Sequence, residues 1–274
     1  MVESIAELRQ ICRKTKGTLS KEVWVQPFFY IRFLRFLSIY FVKLAIYTPL
    51  TANGMTFISM LVVVAGGLLL AFQNPIYSFI GILLIVLFSI LDCSDGDLAR
   101  YRKEASLIGR YFDLWVHGVE STAILIGLTF GVYSSLKSPF VFVFGFVAVS
   151  AFLLIALSGA LKNYHIQYFA TASKSEAILT ETRFQKDKKM LGISYYNWKN
   201  FFSFFIVPYI ILAAIILDII FPPTTTTFFT YSLPLNWRFA ALIMFSFYAI
   251  LALIVKVSNT LKLRDKLILQ EEQD

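Results

Sequence analysis

The residues best placed to do chemistry in this chain are Asp92, Asp95 and Asp113. Positions 91–100 read Leu-Asp-Cys-Ser-Asp-Gly-Asp-Leu-Ala-Arg, and positions 109–117 read Gly-Arg-Tyr-Phe-Asp-Leu-Trp-Val-His. Asp92 and Asp95 lie three apart, so a helix sets them on one face. Gly109, Asp113 and His117 recur every four residues, and Glu120 follows three later. Two adjacent antiparallel helices can therefore aim the three aspartates at a common spot. Clustered carboxylates repel one another unless a cation sits between them. All-oxygen ligands favour a hard ion such as Mg²⁺, Mn²⁺ or Ca²⁺. An ion held this way with open positions suits a phosphate or pyrophosphate. Gly96 and Gly109 would let backbone approach that ligand, and Arg100 offers a forked donor for its oxygens.

The elements that position these residues must be membrane helices. Of the 274 residues, 58% are hydrophobic and only 15% charged, with a mean hydropathy of +0.70. Ordinary soluble domains carry about a quarter charged residues, so a soluble enzyme is excluded, and 17% aromatic content excludes a disordered chain. Two cysteines cannot build a disulfide framework or a cysteine-based zinc site. The expectation is an all-α polytopic membrane protein with six transmembrane helices, near Met55–Phe72, Ile76–Leu91, Tyr111–Tyr133, Phe140–Leu161, Phe201–Phe221 and Phe239–Val257. The second is short, but its polar run can continue the helix beyond the hydrocarbon. Phe28–Tyr47 is apolar yet carries Arg32, Arg35 and Lys43, which predicts an amphipathic helix lying in the interface ahead of the six spans.

Topology follows from the cations. With a cytoplasmic N-terminus, the outer loops Gln73–Pro75, Ser134–Pro139 and Pro222–Arg238 hold only Lys137 and Arg238 of the 25 Lys and Arg. The inner loop Asn163–Asn200 is basic. Both termini and the acidic cluster then face the cytoplasm. The basic runs Arg9–Lys16 and Lys256–Lys266 read as anchors to anionic membrane lipid, with no nucleic-acid partner implied. Residues 1–48 form a cytoplasmic N-terminus plus the interfacial helix, 49–258 the six-helix domain, and 259–274 a cytoplasmic tail. Gly66-Gly67 and Ser158-Gly159-Ala160 are small-residue faces suited to helix packing.

The acidic pattern resembles the signature of CDP-alcohol phosphotransferases, D-x-x-D-G-x-x-A-R-x8-G-x-x-x-D-x-x-x-D. Asp92, Asp95, Gly96, Ala99, Arg100, Gly109 and Asp113 match it with the same spacing, and His117 stands where the last aspartate belongs. Pro49, Asn53 and Thr56 resemble the Pro-Asn-x-x-Thr string that leads into the family's first span, with Pro and Asn separated here. The resemblance implies transfer of a phospho-alcohol unit, for example phosphatidyl, from a CDP-linked donor to an acceptor hydroxyl with release of CMP, in phospholipid or lipid-linked glycan assembly. It implies Asp92, Asp95 and Asp113 as ligands of Mg²⁺ or Mn²⁺. Gly96, Ala99, Arg100 and Gly109 would form the CDP surface. A homodimer is expected on the resemblance alone. Either the donor or the acceptor can be the lipid.

His117 has three readings. Imidazole can replace carboxylate as the general base, since its reference pKa near 6.5 suits that task better than aspartate near 3.9, with Glu120 fixing the tautomer. It can be a metal ligand, which favours Mn²⁺ over Mg²⁺. Or the site binds a CDP compound without turnover. Arg110 could contact a phosphorylated acceptor, and Lys162 and His165 are interfacial anchors first and acceptor contacts second. Asp97 is expected to face solvent, Arg102, Lys103 and Glu104 to belong to a basic loop, Asp218 to sit at the interface, and Cys93 to be inert. A transporter is the competing class, although transport sites lie near the midplane on broken helices in repeated halves, and no repeat is visible.

Overall fold

The computed structural model describes residues 4–14, 29–72, 74–172, 207–220, 225–228, 231–234 and 236–271. In chain order these form α1 (Ile5–Lys14), α2 (Phe29–Ile46), α3 (Ala52–Leu70), α4 (Pro75–Arg102), α5 (Leu107–Leu136), α6 (Phe140–Ala172) and α7 (Val207–Ile220). The strands β1 (Thr225–Phe228) and β2 (Tyr231–Pro234) follow, and then α8 (Trp237–Glu271). The chain divides into two compact units, Met1–Gly127 and Leu128–Asp274.

Among the described residues, five helices are long and apolar enough to cross a membrane: Ala52–Leu70, Pro75–Arg102, Ile108–Leu136, Phe140–Leu157 and Trp237–Ile254. The protein is an integral membrane protein whose described residues are helical apart from one short hairpin. Of the expected span Phe201–Phe221, the described part is α7, whose apolar stretch Ile210–Ile220 is shorter than a span, and 201–206 lie outside the described residues. The second span does continue past its apolar part. α4 has 28 residues, about 42 Å at 1.5 Å per residue, against a hydrocarbon core of about 30 Å. Its last turns carry the acidic run.

In the first unit, α3 opens on Thr51, whose hydroxyl accepts the Gly54 N–H at 3.1 Å. α4 opens on Asn74 and Pro75 and ends on Lys103 in the left-handed region. The two helices run antiparallel in close contact. A Cβ on Gly66 would lie 2.9 Å from the Gly81 carbonyl oxygen, and one on Gly67 would strike the Ala123 backbone of α5. Gly66 and Gly67 are thus spent on packing within the chain rather than on a face for another copy. Ser158-Gly159-Ala160 side chains lie outside the described residues.

α2 buries Leu34, Ser38, Ile39, Val42 and Ala45 and exposes Phe33, Phe36, Tyr40 and Leu44. The N-terminal segment is less free than expected. α1 inserts Leu8 and Cys12 into a core with Ile39, Val42, Ala45, Met55 and Leu98, and Arg9 lies over the Phe36 ring at 4.9 Å.

In the second unit, α6 and α8 pack together, with the Ser246 hydroxyl donating to the Phe144 carbonyl at 2.9 Å and Phe144 edge-on to Phe239. The loop Pro222–Arg238 contains the antiparallel hairpin, in register Thr225 to Pro234 and Phe228 to Tyr231, and the start of α8. Asp218 and Arg238 form a buried pair, Arg238 Nε to Asp218 Oδ2 at 3.0 Å, and Asp218 Oδ1 accepts the Trp237 N–H at 2.8 Å. Burial of either charge alone would be costly, so the pair holds α7 to α8. The basic stretch from 163 is helical as far as Ala172, and 173–206 lie outside the described residues, as do the side chains of Lys162 and His165 and most of the tail.

Candidate active site

The end of α4 and the start of α5 are joined by a turn at 103–106, in which Ser106 Oγ accepts the Gly109 N–H at 3.0 Å. Helical periodicity then does what the spacing predicts. Asp92 on α4 and Asp113, His117 and Glu120 on α5 converge. His117 Nδ1 and Glu120 Oε2 share a hydrogen bond of 3.0 Å. That leaves Nε2 to face Asp92 Oδ1 at 3.7 Å and Asp113 Oδ1 at 3.9 Å. Phe88 closes the back of the ring edge-on, 6.4 Å away. Glu120 is nearly inaccessible, whereas Asp113 and His117 are about two-fifths exposed, at 43% and 38%. The site therefore has a dry rear wall and an open front.

Asp92, Asp113 and His117 each bring one ligand atom within 4.8 Å of the others, and Asp92 Oδ1 is buried with no hydrogen-bond partner. His117 Nε2 stands 3.7 Å from Asp92 Oδ1 and 3.9 Å from Asp113 Oδ1, so the three side chains face one small space. An orphaned carboxylate oxygen in such a cluster fits a divalent cation.

Asp95 is placed differently from the expected trio. It shares Asp92's helix face, but its Oδ2 accepts the Thr56 hydroxyl from α3 at 2.6 Å, and it is buried outside that close group of three. Arg100 is not free either. Its Nη2 contacts Asp97 Oδ1 within the same helix, and its guanidinium lies 3.4 Å from where a Cβ on Gly96 would be. Asp97 is accordingly buried rather than solvent-facing, and the Cys12 thiol on α1 reaches its backbone oxygen at 3.7 Å. Arg100 Nε is buried without a hydrogen-bond partner. Ala99 is half-buried beside it, Arg110 is exposed on the first turn of α5, and Cys93 is half-buried.

Three contributions escaped the sequence reading. Thr56 bonds a site carboxylate; its place in the Pro-Asn-x-x-Thr string was the available signal. Asn53 Oδ1 stands 3.1 Å from where a Cβ on Gly109 would be, so Gly109 leaves room beside an amide. Arg102, expected in a basic loop, ends α4 and donates to the carbonyls of Leu50, Thr48 and Ala45. No local pattern announces a contact across some fifty residues.

A family model described as CDP-alcohol phosphatidyltransferase matches residues 49–230, about two thirds of the chain. No curated protein matches the chain.

Proposed function

The chain belongs to the CDP-alcohol phosphatidyltransferase family, a family that moves a phospho-alcohol group from a CDP-alcohol, and from that premise we propose a metal-dependent transfer to an acceptor hydroxyl with release of CMP. The observation that carries the proposal is the Asp92, Asp113 and His117 cluster with its orphaned Asp92 oxygen. Mg²⁺ or Mn²⁺, held by Asp92, Asp113 and the nearby Asp95, would neutralise charge on the donor pyrophosphate and on departing CMP. Gly96, Ala99 and Gly109 leave space for the nucleotide, and Arg100 presents its remaining N–H groups to the diphosphate. His117 Nε2 takes the acceptor's hydroxyl proton, while Glu120 on Nδ1 fixes the tautomer and stabilises the imidazolium. The acceptor oxygen bonds to the transferred phosphorus as that phosphorus separates from the pyrophosphate bridging oxygen, which leaves on CMP. Arg110, exposed beside Gly109, is the residue we assign to a phosphorylated acceptor.

The distances from Nε2 to both aspartates support a second reading, in which imidazole is itself a metal ligand held by the buried Glu120. Distribution of cations supports a site and termini on the cytoplasmic side, with 1–48 and 259–274 flanking a 49–258 catalytic domain. Donor or acceptor would then be a membrane lipid, in phospholipid or lipid-linked glycan assembly, and a homodimer follows from family resemblance.

The test is to incubate purified protein with Mg²⁺ or Mn²⁺ and panels of CDP donors and alcohol acceptors, following CMP by mass. Metal-dependent CMP release that requires an acceptor is the expected result. CDP binding without CMP release under every combination would identify a binder and overturn the transferase reading.

A further inference from the structure

Asp95 and Arg102 are seven residues apart on α4 and so lie on one face, about 10 Å apart along the axis. Both are used to hold α3. Thr56 meets Asp95 at 2.6 Å, and Leu50, just before α3, meets Arg102 Nη1 at 2.7 Å. The antiparallel register continues upward, where a Cβ on Gly66 would lie 3.1 Å from Ile85. Arg102 Nη2 also donates to Thr48 at 2.9 Å and to Ala45 at 3.1 Å, in the final turn of α2 and the linker after it. A cation is favoured at that helix C-terminus, where Arg102 joins the Thr48 N–H and hydroxyl on the Ala45 carbonyl. One planar guanidinium thus caps α2 and fixes the start of α3. A lysine has one rotating nitrogen and cannot hold this spread of carbonyls in a plane.

We infer that Arg102 is a positioning residue for the site: it sets the register of α3 on α4, so that the Thr56 hydroxyl reaches Asp95 and Asn53 reaches the space beside Gly109. Arg102 touches neither donor nor acceptor. The inference rests on the phosphotransfer reading only where it treats Asp95 as part of the metal site.

Mn²⁺ alone is the probe, titrated into the purified full chain by electron paramagnetic resonance. R102K and T56V should each weaken Mn²⁺ binding about tenfold, as loss of outer partners does elsewhere. T56S should restore it. The double variant R102K/T56V should be no weaker than the worse single one, because both changes release the same contact. Mn²⁺ affinity of R102K within about twofold of the unaltered chain, or losses that multiply in the double variant, would overturn the inference. If R102K does not purify as folded protein, R102Q, a planar donor that reaches fewer carbonyls, is read the same way. Hydrogen exchange gives a readout independent of metal. Amides of 53–59 should exchange faster in R102K, and unchanged protection there also overturns the inference. Absence of Mn²⁺ binding by the unaltered chain would instead sink the metal reading, leaving exchange to judge Arg102.

Discussion

At the scale of single residues, His117 joins a buried carboxylate to two more exposed ones through its two ring nitrogens. Removing it as H117A should cut kcat by about 10²–10⁴, the usual worth of a general base, with CDP affinity little changed by calorimetry. Full activity of H117A would remove imidazole from the reaction. H117D separates base from ligand. If Nε2 binds the ion, an all-oxygen set should move the preference from Mn²⁺ toward Mg²⁺, measured as the ratio of the two apparent metal affinities. An unchanged ratio speaks for the base. Much of this was legible beforehand, since the four- and three-residue spacings alone bring His117, Asp113 and Glu120 together. Asp97 was misread for a physical reason. Its carboxylate is paired with Arg100 and its backbone meets Cys12 of α1, eighty-five residues upstream, and helical periodicity reports a face without saying what covers it.

Among the elements, α3 is the one whose fit is least forgiving. Gly67 presses on the Ala123 backbone with no room for a side chain. Gly67→Val should therefore destabilise the protein by roughly 1–3 kcal/mol or more, as overpacking does, read as a fall in thermal midpoint in detergent. An unchanged midpoint would show that the helices separate freely. α1 carries a pH-sensitive cap. Glu7 Oε2 accepts the Ser4 N–H at 2.6 Å and the Glu7 N–H reaches the Ser4 hydroxyl at 3.3 Å. These contacts, the backbone one foremost, hold the Glu7 carboxyl below its ordinary value. Because the folded pKa is the lower one, this stabilisation is present above the unfolded value and is lost as pH falls through the folded one. Protection factors of α1 amides, corrected for intrinsic exchange at each pH, should fall on acidification in the unaltered chain, and E7Q should flatten that dependence. Apolar runs in the sequence announced the five spans found among the described residues, and the polar run after Leu91 announced the extension of α4. It was silent on the stitching by Arg102 and Thr56, because hydrogen bonds between distant segments leave no periodic trace.

For the whole molecule, charge distribution is the strongest statement the sequence makes. With Cys12 and Cys93 replaced, a cysteine at Lys137 should react with a membrane-impermeant maleimide from outside intact cells, and one at Lys103 only after permeabilisation. Labelling of Lys103→Cys from outside would invert the topology. The Asp218–Arg238 pair shows what such counting leaves out: a cation assigned to a loop by its sequence neighbours can be buried against a carboxylate twenty residues earlier.

The seating of Leu8 and Cys12 against Leu98 has a practical corollary. The rear support of the acidic helix comes from α1, a segment some ninety residues upstream of its partner Leu98. Bulky labels placed close to Ile5 would intrude on that docking, so engineers working with this protein should keep them away from α1.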